Sequence, residues 1–159
     1  MKNYTLFVLL ALAFSLNALS QDLLQERIWK ISERKRSIFL DKGVFHSDEN
    51  PMKQNLVGVR NSYVPARGYE RVVFDFSSNK PPRVYGKISN EDNKVYIDFF
   101  NTSLGTKISK LKNIKHLKDI NFFNIDEKDL SVEMNFSSDV SLDVFYLENP
   151  ARLVVDIKK

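Results

Sequence analysis

Arg71-Val72-Val73-Phe74-Asp75-Phe76-Ser77-Ser78 and Leu130-Ser131-Val132-Glu133-Met134-Asn135-Phe136-Ser137-Ser138 are two versions of one pattern. The first runs on to Val95-Tyr96-Ile97-Asp98-Phe99 and the second to Leu153-Val154-Val155-Asp156-Ile157. Phe74, Phe76, Ser77 and Ser78 align with Met134, Phe136, Ser137 and Ser138, and Asp98 aligns with Asp156 after a two-residue gap. Duplication of a strand–turn–strand unit predicts a pseudo-symmetric all-β domain.

Each predicted strand alternates. In Arg71 to Phe76, Val72, Phe74 and Phe76 face one way, and Arg71, Val73 and Asp75 the other. Val95, Ile97 and Phe99 oppose Tyr96, Asp98 and Phe100 in Lys94 to Phe100, and Leu130, Val132, Met134 and Phe136 oppose Ser131, Glu133 and Asn135. Leu153, Val155 and Ile157 oppose Arg152, Val154, Asp156 and Lys158. One apolar and one mixed face per strand is what two sheets packed around a shared core require. Further strands are expected over Arg83 to Ile88, Val140 to Leu147 and about Val57 to Val64. Ser, Asn, Asp and Pro clusters supply the turns between them, Asn149-Pro150-Ala151 among them.

The bridge between the copies has two readings. Ile108, Leu111, Ile114, Leu117 and Ile120 recur every third residue, a spacing that drifts around a helix and fits an amphipathic helix only in part. A turn followed by a strand from about His116 to Asn124 fits the duplication better.

Ahead of the β domain, Lys2, the apolar run Leu6 to Phe14 and Ala18-Leu19-Ser20 before Gln21 have the order of a cleaved export signal. The competing reading is an uncleaved anchor. Leu6 to Leu19 is short for a bilayer span and is interrupted by Ser15 and Asn17, so no membrane span is expected after cleavage. Asp22 to Leu40 is expected to be a helix, with Leu24, Ile28, Ile31 and Ile38 on one face and Trp29 bordering it. That helix packs on the β domain, stands as a solvated spacer, or touches a membrane or an anionic polymer. Gly43 to Asn55 reads as a linker containing a solvated His46. The expected organisation is a signal over 1–20, helix and linker over 21–54 and the β domain over 55–159.

Composition narrows the chemistry. With no cysteine and only His46 and His116, disulfides, thiolate metal sites and a three-histidine metal centre are out of reach, and no cofactor is expected. No P-loop, dinucleotide fingerprint or serine-nucleophile motif is present, and no spacing singles out a pair of carboxylates for hydrolysis. A non-catalytic protein is expected. The lysines of Lys107 to Lys118 with Phe122 and Phe123 resemble a basic–aromatic patch, but export and a net charge of only +4 argue against nucleic acid.

Together, Arg71-Val72-Val73-Phe74-Asp75-Phe76 and Asn149-Pro150-Ala151-Arg152-Leu153-Val154-Val155-Asp156 resemble the AMIN domain, the N-terminal localisation domain of bacterial N-acetylmuramoyl-L-alanine amidases, also found in type IV pilus secretins. The resemblance covers about Leu56 to Lys159. It implies a sandwich of two symmetry-related sheets in the periplasm that binds peptidoglycan and so localises attached machinery. Neither an amidase nor a secretin domain is expected here, since the sequence closes at Lys159. Ser131 and Asn135 replace the Arg71 and Asp75 of the first copy, against a symmetric binding role.

A peptidoglycan surface needs cations for peptide carboxylates, amides for hydrogen bonds and aromatic faces for sugar rings. The outward faces offer Arg71, Asp75, Arg83, Tyr85, Lys87, Tyr96 and Arg152 as candidate ligand-binding residues. Asp98 and Asp156 read instead as structural polar residues, and Arg71, Asp75, Arg152 and Asp156 also suit cross-strand ion ladders with no ligand role. The expected function is a wall-binding module of the bacterial envelope. The alternative is a protein–protein adaptor for a cell-wall amidase, a secretin or another envelope protein, acting through sheet edges or the N-terminal helix.

Overall fold

Alternation along the repeat resolves into two packed sheets. The structure is a computed structural model that describes residues 27–33, 37–48, 52–89, 91–106 and 108–159. The expected signal segment lies outside the described residues. Among the described residues, eleven strands follow in order: β1 (Ile28–Lys30), β2 (Gly43–Ser47), β3 (Gln54–Val64), β4 (Tyr69–Phe76), β5 (Val84–Ser89), β6 (Lys94–Phe99), β7 (Thr102–Leu104), β8 (Leu117–Asn124), β9 (Leu130–Phe136), β10 (Ser141–Leu147) and β11 (Arg152–Lys158). One sheet has the order β1-β2-β5-β6-β9-β8 and the other β10-β11-β4-β3-β7. The only helix among the described residues is a single 3₁₀ turn, Pro65–Arg67, closed by Gly68 in the left-handed region at φ 67°.

The duplication exchanges the sheets. Copy one contributes the hairpin β3-β4 to the five-stranded sheet and β5-β6 to the six-stranded one. Copy two does the reverse, with β8-β9 beside β6 and β10-β11 beside β4. Irregularities repeat as well. A bulge between Leu56 and Gly58 on β3 has its counterpart between Leu117 and Asp119 on β8. Phe76 N–H donates to Ala151 O, and its equivalent Phe136 N–H donates to Asn93 O.

Inward residues of both sheets build one core. Phe45, Phe74, Phe99, Leu130, Met134, Leu153 and Ile157 are completely buried within it, each contributing about 1.5–3 kcal/mol relative to an exposed position. The ring of Phe45 occupies the space where a Cβ on Gly86 would lie, which is why the paired position on β5 is glycine. A smaller cluster of Val73, Phe145 and Val154 forms on the outer face of the five-stranded sheet.

Residues 27–47 depart from expectation. Of the predicted helix Asp22 to Leu40, residues 22–26 and 34–36 lie outside the described residues, but Ile28–Lys30 is a strand, parallel to β2. Ile31 is buried in the core and Trp29 packs on Phe45 at 5.4 Å between ring centres. The linker over Gly43 to Asn55 is likewise corrected: Gly43–Ser47 is a mostly buried strand that pairs with β5, and β3 already begins at Gln54. Of the apolar residues that suggested a helical stripe, Ile28 lies in β1, Ile31 is buried in the core and Ile38 is exposed, while Leu24 lies outside the described residues. Leu40 and Glu33 make bridges to Leu142 and Tyr146 on β10, so this segment lines edges of both sheets.

The bridge between copies resolves as turn and strand. Residues 108–116 have no regular structure, and β8 begins at Leu117. Glu70, fully buried at the start of β4, pins this connection. Its Oε2 accepts the backbone N–H of Lys115, His116 and Leu117 at 3.0, 2.7 and 3.0 Å, and its Oε1 accepts from Asn61 Nδ2 at 3.2 Å. A buried carboxylate is tolerated where donors converge on it in this way.

Candidate functional site

Outward residues of each strand fall on one of two faces, and these faces differ in how far their polar groups are already engaged. On the five-stranded sheet, Asp143, Asp156, Arg71 and Ser62 form a row across β10, β11, β4 and β3. Arg71 donates to the fully buried Asp156 twice, Nε to Oδ1 at 2.6 Å and Nη2 to Oδ2 at 2.8 Å. Its guanidinium also reaches the Tyr69 hydroxyl at 3.2 Å and lies over the rings of Tyr69 and Phe145. Hydrogen bonding to Asp156 raises the Arg71 pKa above its ordinary value. Asp75 accepts from Arg60 at 2.8 and 3.0 Å, and that pair holds the Arg60 guanidinium above its usual pKa. Arg152 stands opposite Asp75 in register, yet its Nε donates to Pro150 O at 3.2 Å. Arg71, Asp75 and Asp156 thus share a face on which their charges are paired within the protein.

The other face carries exposed aromatic rings. β5 and β6 alternate buried and exposed residues, directing Tyr85, Lys87, Tyr96 and Asp98 outward from the six-stranded sheet. Register places Tyr85 against Asp98 and Lys87 against Tyr96, so the two tyrosines are diagonal neighbours, about 7–8 Å apart. Tyr85 is 44% and Tyr96 36% exposed. Arg83, just before β5, stacks over Phe100 at 5.0 Å at the end of the same face. Five candidate residues, separated by up to 15 positions in the chain, therefore meet on one surface.

Asp98 differs from its repeat equivalent. Asp156 faces Arg71, whereas Asp98 faces Ser131. Among the described residues no ion pair holds the Asp98 carboxylate, whereas Arg71 holds that of Asp156.

Residues not anticipated from sequence complete the face. Glu133 on β9, opposite Tyr96, accepts from Asn135 at 3.1 Å and from Lys94 at 3.2 Å. The Asn135 donor and then Lys94 hold its carboxyl below the usual glutamate value. Phe123 on β8, opposite Ser131, is 53% exposed. The doublet Phe122-Phe123 carries that signal, since alternation must direct one ring inward and the other outward.

Among the described residues, no group of three or more His, Asp or Glu side chains is placed to hold a metal ion, and no helix is long and apolar enough to cross a membrane. No family model, no curated protein and no solved structure matches the chain.

Proposed function

We propose that the chain is a non-catalytic module of the bacterial envelope that binds peptidoglycan in the periplasm through the outer face of its six-stranded sheet. The observation that carries this reading is the exposed diagonal pair Tyr85 and Tyr96, flanked by Arg83, Lys87 and Asp98. Tyrosine rings on a flat sheet stack against sugar rings while their hydroxyls bond to sugar hydroxyls. Arginine and lysine at the periphery meet peptide-stem carboxylates, and an unpaired aspartate accepts from amides or amino groups. The AMIN-like repeat and its two-sheet architecture agree with the same role, and the export signal would deliver it to the wall.

Co-sedimentation of the chain with isolated sacculi tests this reading. Saturable binding is expected, and Tyr85→Ala with Tyr96→Ala should weaken it about two- to tenfold per ring, the worth of an aromatic contact. Absence of binding at every salt concentration, or binding indifferent to both tyrosines, overturns it. Deletion of the N-terminal segment is no control here, because residues 28–47 supply two strands of the face itself.

A second reading, an adaptor for an amidase, a secretin or another envelope protein, is favoured by one observation: among the described residues, no strand covers the outer edge of β8.

A further inference from the structure

Sheet edges in this protein are treated unequally. The outer edge of β10 exchanges hydrogen bonds with Leu40, in both directions at 2.7 and 2.8 Å, and Tyr146 N–H donates to Ser32 O at 3.2 Å. β7 covers β3 over Gln54–Leu56, and β1 is only three residues long. β8 has eight residues and, among the described residues, no strand on its far side. Its start is blunted by the bulge between Leu117 and Asp119 and by the charges of Lys118 and Asp119, which leaves Ile120–Asn124 as the part of the edge open to an occupant.

The direction of its free backbone groups follows from β9. Phe136 N–H points to Asn93 beside β6, and Ser137 N–H points to His116 beside β8. Continuing the alternation, Met134 and Val132 turn away from β8, so their partners Ile120 and Phe122, and Asn124 opposite Leu130, direct N–H and C=O outward.

Beneath this edge is a groove of 380 Å³ between β8 and β3, lined chiefly by Val59, Ile108, Leu111, Ile114, Ile120 and Phe122. Its rim is basic. Lys110 and Lys118 line it, and Asp119 is its one acid. We infer that β8 and this groove accept an extended segment of another protein in which apolar and acidic residues alternate. Such a segment adds as a strand, bonding to Ile120, Phe122 and Asn124, with apolar side chains in the groove and acidic ones toward the lysines. Charge favours this occupant over a second copy of the chain, which would bring the same lysine rim against itself. The inference is independent of the glycan reading, since the tyrosine face lies on a different surface of the sheet.

The test is a titration of the isotope-labelled full chain, followed by amide NMR, with a blocked peptide of about eight residues alternating valine and glutamate, a length matched to β8. An otherwise identical valine–lysine peptide is the comparison. The acidic peptide is expected to shift the amides of Ile120, Phe122 and Asn124, to bind about tenfold or more tightly than its basic counterpart, and to weaken with salt. Asn124→Pro removes an outward N–H without touching the ladder to β9, and should weaken binding about fivefold while other amides stay in place. Lys110→Glu with Lys118→Glu should abolish or invert the preference between peptides. Equal affinity for both peptides, no binding, or shifts confined to the Tyr85–Tyr96 face overturn the inference. So does a concentration-dependent dimer that protects the β8 amides without peptide, which would make a second copy the occupant.

Discussion

Arg71 and Asp156 are 85 positions apart in the chain and meet across β4 and β11 in a two-pronged ion pair. The carboxylate is completely buried and the arginine side chain is 28% exposed. The pair joins the first copy of the repeat to the second at the centre of the five-stranded sheet. Its symmetry equivalent is Asp98 opposite Ser131, where the arginine is missing. One duplicated position therefore fastens the fold, and the other leaves a carboxylate on the surface proposed to bind ligand.

Removing one member of that pair should cost more than removing both. Arg71→Met removes the two-pronged partner of a buried carboxylate, a change that costs about 3–5 kcal/mol in comparable pairs. Arg71→Met with Asp156→Leu removes the uncompensated charge and should recover a large part of the loss. Urea unfolding of both variants decides the matter; equal losses would mean that Asp156 is held mainly by other groups.

Gly86 should not tolerate a side chain. A Cβ there overlaps the ring of Phe45, which has no exposed surface and nowhere to shift. Gly86→Ala should destabilise by about 1–3 kcal/mol, the usual cost of overpacking a core. Phe45→Leu, by freeing space, should soften the effect of Gly86→Ala, so the two changes should be non-additive. Simple additivity in thermal or urea unfolding would show that the ring does not set the constraint.

Glu70 should control the connection between the copies. Glu70→Gln keeps the shape but offers an NH₂ group and no charge to three converging N–H donors. A loss of about 1–3 kcal/mol is expected. Faster hydrogen exchange should concentrate at Lys115, His116 and Leu117; uniform acceleration over all strands would indicate a global effect instead.

Strand content was legible in the sequence wherever alternation was strong. Leu130–Phe136 and Arg152–Lys158 fall where period two places them, and the duplication anticipated the two-sheet sandwich. The strand Ile28–Lys30 was not legible, because Leu24, Ile28, Ile31 and Ile38 satisfy helical spacing in the sequence, while pairing of Ile28–Lys30 with β2, itself seated on β5, is something a local pattern cannot show. Of the candidate site, Tyr85, Lys87, Tyr96 and Asp98 were assigned outward correctly by parity. Parity suited Arg71 and Asp75 to cross-strand ion pairs but could not name their partners, Asp156 and Arg60, since register is a property of two segments and not of one.

Acidity should separate the surface cluster from the core. The Glu133 carboxyl lies below the usual glutamate value, chiefly because Asn135 donates to it and Lys94 adds a second donor. A depressed folded-state pKa means that folding favours the ionised form. The contribution is thus complete above the ordinary glutamate range, near 4.3, and is lost as pH falls through the lower folded-state value. Glu133→Gln should therefore be less stable than the unaltered protein at about pH 7 and converge with it toward about pH 3. Added salt should shrink the difference at neutral pH, because the Lys94 partner is one-third exposed. A stability difference that persists unchanged into acid would show that Glu133 acts through its shape and neutral hydrogen bonds. The neighbouring Tyr96 would then sit on a surface whose geometry is insensitive to pH, and sacculus binding would lose any acid-dependent component that Glu133 contributes.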